Sequence, residues 1–250
     1  YSNAVGVAKV FDKLVGQVLS PVIMPAIVSQ KRGGGDLKRI YLDAMALLSV
    51  VHWPFLAFLA IMAQPIVLLW LGATWLEVVP LARLICIGYL ALFVASLTYP
   101  VLVAVGSVRD ALIVSLISLP PSLLVVFVAS FMGVEAVAAS AMLTLPFQAG
   151  VAIYFIARHL DISLRDVCRA TFKSAFVTLS SSGAAAVCAA MVEYGLMRPV
   201  WGVALGCISA SICWLLIVVL TEHPILPWLQ RAGAGLYRLL NSPVRRDSFG

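Results

Sequence analysis

The chain has 250 residues and a formal net charge of +6; 62% of its residues are hydrophobic and only 11% are charged, and its mean hydropathy is +1.05. A soluble domain is about 45–50% apolar and about 25% charged, so composition excludes a soluble enzyme, a disordered tail and a nucleic-acid-binding module. A positive balance in so apolar a chain means basic loops beside a bilayer, with no nucleic acid as partner.

A membrane helix needs about 20 mostly apolar residues to cross about 30 Å of hydrocarbon. Residues 4–28, 41–70, 78–105, 110–132, 134–157, 171–193 and 199–220 meet that requirement. The runs are long and continuously apolar, which predicts helices and not the short alternating strands of a barrel. The expected fold is an all-α polytopic membrane protein: a helical bundle of about seven transmembrane helices over 1–222, followed by a cytoplasmic tail over 223–250.

The first span is polar on one side. At about 100° per residue, Ser2, Gly6, Lys9, Asp12, Lys13, Gly16, Gln17 and Ser20 fall within an arc of roughly 140°. Val7, Val10, Phe11, Leu14, Val15, Val18 and Leu19 form the apolar opposite face. A charge at membrane depth costs at least about 2.5–3.5 kcal/mol and usually faces a bundle interior or a wet cavity. Lys9, Asp12, Lys13 and Gln17 are therefore candidate cavity residues, and a cavity they line would favour an anionic group. Two other arrangements satisfy the same residues. The lysines can snorkel to the outer headgroups, or Asp12 can neutralise one of them locally.

A basic loop follows, with Lys31, Arg32, Lys38 and Arg39 around Gly33-Gly34-Gly35. No strand precedes the glycines, so they read as a flexible turn and not a phosphate cradle. In the second span His52 precedes Trp53-Pro54 and reads as a hydrogen-bonded structural residue ahead of a proton relay. The third span carries Arg83 about two turns from the Trp75–Glu77 boundary. Its neighbours on the helical wheel are apolar, so Arg83 either snorkels to the outer interface or lines the cavity. Pro54, Pro100, Pro120, Pro121 and Pro146 lie inside spans. Each removes a backbone donor and reads as a simple kink or as a hinge of a conformational cycle. His159 and His223 sit at span boundaries and carry no signal. The five cysteines have no CxxC spacing and read as packing residues. In the tail, Trp228, Leu229, Ala232, Leu236, Leu239 and Leu240 share one face of a helix and Gln230, Arg231 and Arg238 the other. That pattern predicts an interfacial anchor among anionic lipids.

Thirteen of the 17 Lys and Arg residues fall in the 29–40 loop, the 106–110 turn, the 158–173 stretch and the tail. Glu77, Glu135, Glu193 and Arg198 fall in the alternate loops. The asymmetry predicts a cytoplasmic C-terminus. The chain starts at Tyr1 without an initiator Met, which reads as a fragment or a truncated reading frame. No HExxH, P-loop, GxSxG or Cys/His metal spacing occurs. No metal site, cofactor or enzymatic activity is expected.

The order of short motifs is informative. Tyr1-Ser2-Asn3-Ala4 leads into the amphipathic span, which closes with Ser20-Pro21-Val22-Ile23-Met24-Pro25-Ala26. Trp53-Pro54, Ala63-Gln64-Pro65-Ile66-Val67, Leu71-Gly72-Ala73-Thr74-Trp75, Val79-Pro80-Leu81-Ala82-Arg83-Leu84 and Val103-Ala104-Val105-Gly106-Ser107-Val108-Arg109 follow. Over residues 1–195 this series resembles the C-terminal half of bacterial O-antigen and exopolysaccharide flippases, in the multidrug/oligosaccharidyl-lipid/polysaccharide exporter superfamily. The resemblance implies one lobe plus extra helices of a two-lobe exporter in the bacterial inner membrane. It implies translocation of undecaprenyl-diphosphate-linked oligosaccharide, an anionic lipid-linked substrate, for surface polysaccharide or lipopolysaccharide biosynthesis. Lys9 and Lys13 match the cationic cavity positions of such proteins, Arg83 is a further candidate, and Asp12 and Gln17 share the polar stripe. The first lobe of the family is absent from these residues and would be a partner, along with membrane lipids. Three other functions compete. A cation or drug exporter of the multidrug and toxin extrusion type needs deep carboxylates, of which Asp12 is the one in view. A membrane glycan polymerase or ligase needs a large outer loop. A non-catalytic membrane subunit needs neither.

Overall fold

A backbone inside hydrocarbon has no water to bond, so its polar groups must pair internally, as a helix allows. The computed structural model describes residues 36–227 and Gln230. The expected first span, with Lys9, Asp12, Lys13 and Gln17, and the expected amphipathic tail beyond its first residues lie outside that range. The described residues form α1 (Leu37–Ile61), α2 (Ala63–Trp70), a 3-10 turn (Ala73–Trp75), α3 (Val78–Tyr89), α4 (Phe93–Val105), α5 (Val108–Ser130), α6 (Val134–Leu160), α7 (Leu164–Glu193) and α8 (Pro199–Leu220). Helices α1, α5, α6, α7 and α8 are each long and apolar enough to cross a membrane. Helices α3 and α4, bent by 43° at the break between them, make a sixth crossing when counted as one. The protein is an all-α, multi-pass membrane protein.

Local chemistry sets the helix ends. Asp36 caps α1 by accepting the N–H groups of Lys38 at 3.0 Å and Arg39 at 3.4 Å. Ser163 and Asp166 form a reciprocal capping box that starts α7 at Leu164. This is seven residues before the apolar run begins, because a helix may carry charge where it projects beyond the bilayer. The 30 residues of α7 reach about 45 Å. Gly106 adopts the left-handed conformation, φ +88°, and closes α4.

The helices form two groups. Helix α7 lies between α1 and α8, with α2 along α8; α6 gathers α3, α4 and α5; α1 joins the groups through α3 and α4. Tyr41, Met45, Leu48, Phe93, Leu97, Val101, Ala152 and Ile156 share the larger core cluster, between α1, α4 and α6. Val50, Val177 and Val218 pack together between α1, α7 and α8. The outward faces of α5 (Leu116, Leu123, Phe127) and α8 (Ile208, Leu216, Leu220) are exposed, as lipid-facing surfaces are.

Three ties bring the basic segments to one end. Lys38 Nζ lies 2.8 Å from Asp166 Oδ2 and donates to the Asp161 carbonyl at 2.9 Å. His159 Nε2 lies 2.6 Å from Asp110 Oδ2. Lys173 Nζ donates to the carbonyls of Thr221 and Glu222 at 2.8 and 3.2 Å.

Helix α1 runs through Pro54, α4 through Pro100, α5 through Pro120 and Pro121, and α6 through Pro146. The interruptions fall elsewhere. The 41–70 run is two helices parted at Met62, and the 78–105 run is two parted at residues 90–92.

Candidate functional site

The break between α3 and α4 replaces helical bonding with tighter i→i+3 bonds, Leu90 N–H to Ile87 at 3.2 Å and Leu92 N–H to Tyr89 at 3.0 Å. Carbonyls turned out of a helix inside a membrane need donors from elsewhere. Helix α1 supplies two from adjacent residues. His52 Nε2 donates to the Tyr89 carbonyl at 3.1 Å, a second donor beside the Leu92 N–H, and Trp53 Nε1 donates to the Leu90 carbonyl at 2.8 Å. Phe93 packs edge-on to Trp53, ring centres 5.6 Å apart. Half-buried Arg83 on α3 reaches back and donates from Nε to the Ala60 carbonyl at 3.3 Å, in the last turn of α1.

Beyond the break, α4, α5 and α6 enclose a half-open cavity of about 170 Å³. Thr98, Tyr99, Ser115, Ser118 and Gln148 are its polar lining residues. It lies roughly one third to one half of the way in from the basic end. The Thr98 hydroxyl donates to the Val94 carbonyl and the Ser115 hydroxyl to that of Ala111, both at 3.2 Å. These protons are spent on the helix, so both oxygens remain acceptors, while the Gln148 amide both donates and accepts. The lining carries no charge, and apolar Ala95, Ala111, Val114, Leu119 and Ala152 make up the rest of it. It has no cation to offer a phosphate. Among the described residues no group of three or more His, Cys, Asp or Glu is placed to hold a metal ion.

Of the five residues expected at the cavity, Lys9, Asp12, Lys13 and Gln17 lie outside the described residues. Arg83 does not line the α4–α5–α6 cavity; its one assigned polar contact is the Ala60 carbonyl. Sequence reasoning passed over Gln148, Ser115 and Ser118, since a single polar residue inside an apolar run marks no face by itself. It also passed over His159 and His223, each of which pairs with a residue 49 positions away. A histidine at a basic helix end was the available signal, because such ends meet in space.

Residues 1–80 match the family model described as polysaccharide biosynthesis protein. The matched segment holds the residues of the expected first span, Trp53-Pro54 and the Leu71–Trp75 turn; Arg83 and the Val103–Arg109 turn lie beyond it. No curated protein and no solved structure matches the chain. Over its first 80 residues this multi-pass membrane protein is thus similar to polysaccharide biosynthesis proteins, a likeness that points to a role in polysaccharide biosynthesis.

Proposed function

We propose that the chain supplies one lobe of a flippase in the bacterial inner membrane, with its C-terminus in the cytoplasm. The flippase moves undecaprenyl-diphosphate-linked oligosaccharide to the outer leaflet by alternating access. The observation that carries this reading is the family match over residues 1–80, the segment that contains Lys9 and Lys13. In this mechanism the two lysines meet the diphosphate through charge-assisted hydrogen bonds. A second helical lobe completes the cavity, and membrane lipids cover the outer faces. The broken α3–α4 span, bent by 43°, is the flexible element in this mechanism. The α4–α5–α6 cavity has no cation in its lining to meet the diphosphate, which leaves that role to the lysines. Flipping forms and breaks no covalent bond, so the chain is not an enzyme in this reading. The described carboxylates lie at or near helix ends, which supports a lipid-linked anion over a cation as cargo.

The test is complementation. The intact reading frame that encodes this chain is expressed in a strain lacking its polysaccharide flippase, and surface glycan is measured. Wild type should restore glycan, and Lys9→Ala/Lys13→Ala should lower it at least about tenfold at equal membrane abundance, the loss of two charge-assisted contacts. No restoration by well-expressed wild type, or full export by the double variant, would overturn the reading.

A further inference from the structure

The segment leaving α8 folds back onto the bundle. His223 lies there, 1% exposed, beside buried Ser174 of α7 and buried Ser49 of α1. Each ring nitrogen has an assigned task. Nδ1 accepts the Ile225 N–H at 3.3 Å. An accepting nitrogen bears no proton, so the neutral ring carries its hydrogen on Nε2, which donates to Ser174 Oγ at 3.2 Å. Ser174 Oγ also receives the Ser49 hydroxyl at 2.8 Å and gives its own proton to the Ala46 carbonyl at 3.2 Å. The cluster is complete in protons and acceptors. It is not a nucleophile and its base, because Nε2 donates toward the serine instead of drawing a proton from it.

We propose that His223 is a proton-operated latch: neutral, it pins the start of the C-terminal segment to α1 and α7; protonated, it releases that segment. The imidazolium carries N–H on both nitrogens, so Nδ1 would confront the Ile225 N–H, donor against donor. Among the described residues nothing is placed to welcome the charge. Helix α1 presents Ser49 and the Ala46 carbonyl, and α7 presents Ser174 and Lys173. Lys173 is held close by its bonds to the carbonyls of Thr221 and Glu222. Among the described residues no carboxylate pairs with His223. Burial, with Lys173 second, pulls the imidazole down from 6.5 to about 4. Ile225 packs on the Val50, Val177 and Val218 cluster, so release also uncovers that cluster.

The sign follows from the depressed value. The released ring titrates near about 6.5, so pinning is at full strength above that pH. It weakens as pH falls toward about 4 and changes no further below. The released population should rise on the order of 30-fold between pH 8 and pH 5. The latch does not depend on the cargo.

The test is hydrogen exchange at the Ile225 amide, on the full-length protein in nanodiscs of phosphatidylethanolamine and phosphatidylglycerol, corrected for the intrinsic effect of pH. Protection should fall on the order of 30-fold from pH 8 to pH 5 in wild type and stay level in His223→Gln. Equal protection at both pH values in wild type, or the same slope in His223→Gln, overturns the latch. Exchange at the imidazole C2–H reads the same ring without any substitution. A midpoint at or above about 6.5 overturns the proposal, and one well below supports it.

Discussion

The α3–α4 span and helix α1 carry their irregularities in opposite ways. Helix α1 has Pro54 inside it and remains one helix for 25 residues. The α3–α4 span has no proline among Leu90, Ala91 and Leu92, yet it breaks there and bends by 43°. The difference lies in which carbonyls find donors on a neighbour. Pro54 cannot donate to the Val50 carbonyl one turn back, and Trp214 Nε1 on α8 does so instead, at 2.8 Å. At the break, His52 and Trp53 answer the carbonyls of Tyr89 and Leu90. Inside a membrane, a proline is neither required for a break nor enough to cause one; a break persists where an adjacent helix brings N–H groups to it.

Three experiments test that comparison. The largest effect is expected at Gly88, where the break approaches α6. A Cβ there would stand 2.8 Å from both the carbonyl carbon and the carbonyl oxygen of Ala141, backbone atoms that no rotamer change moves. Gly88→Ala should cost about 1–3 kcal/mol by overpacking, read from unfolding in mixed micelles. Gly150→Ala on α6, where a Cβ meets nothing within 4 Å, should show no such loss. Equal behaviour of the two would remove close packing as a support of the bent span. Next is Trp53→Phe, which keeps the ring against Phe93 and removes the donor to Leu90. A loss of about 1–2 kcal/mol is expected, with faster hydrogen exchange in residues 90–95. An unchanged exchange pattern would mean that the break does not need α1.

The smallest effect sharpens the α1 half. Trp214→Phe should cost about 1 kcal/mol with Pro54 in place. Pro54→Ala restores a backbone N–H at that position, and this donor can serve the Val50 carbonyl. In that background the cost of losing Trp214 should shrink by more than half. A double-mutant cycle measures that coupling. If Trp214→Phe costs the same in both backgrounds, the indole does not compensate the proline.

The ends of the bundle show how far local sequence reached. The charge alternation that separates Lys38, Arg109, Arg158 and Lys173 from Glu77, Glu135 and Glu193 is legible in sequence. The ties Lys38–Asp166, His159–Asp110 and Lys173–Thr221 gather the first set at one end. Which charge meets which was not legible, because the partners are 48 to 128 residues apart. The polar stripe expected of Lys9, Asp12, Lys13 and Gln17 could be proposed because the spacing of those residues matches a helical period within one segment. Gln148 and Ser115 share no segment and no period, and only the packing of α5 against α6 makes them one lining.

The sequence by itself determined the class of the protein: apolar runs long enough to span a bilayer must become helices, since the backbone has no other way to pair there. It also determined the alternation of basic and acidic segments along the chain, which local composition alone sets. Tertiary structure alone decided where the helices break, which prolines are compensated, and that His223 is buried and bonded. Each of those outcomes depends on a donor or acceptor delivered from a distant segment, and no local pattern encodes where that segment will lie.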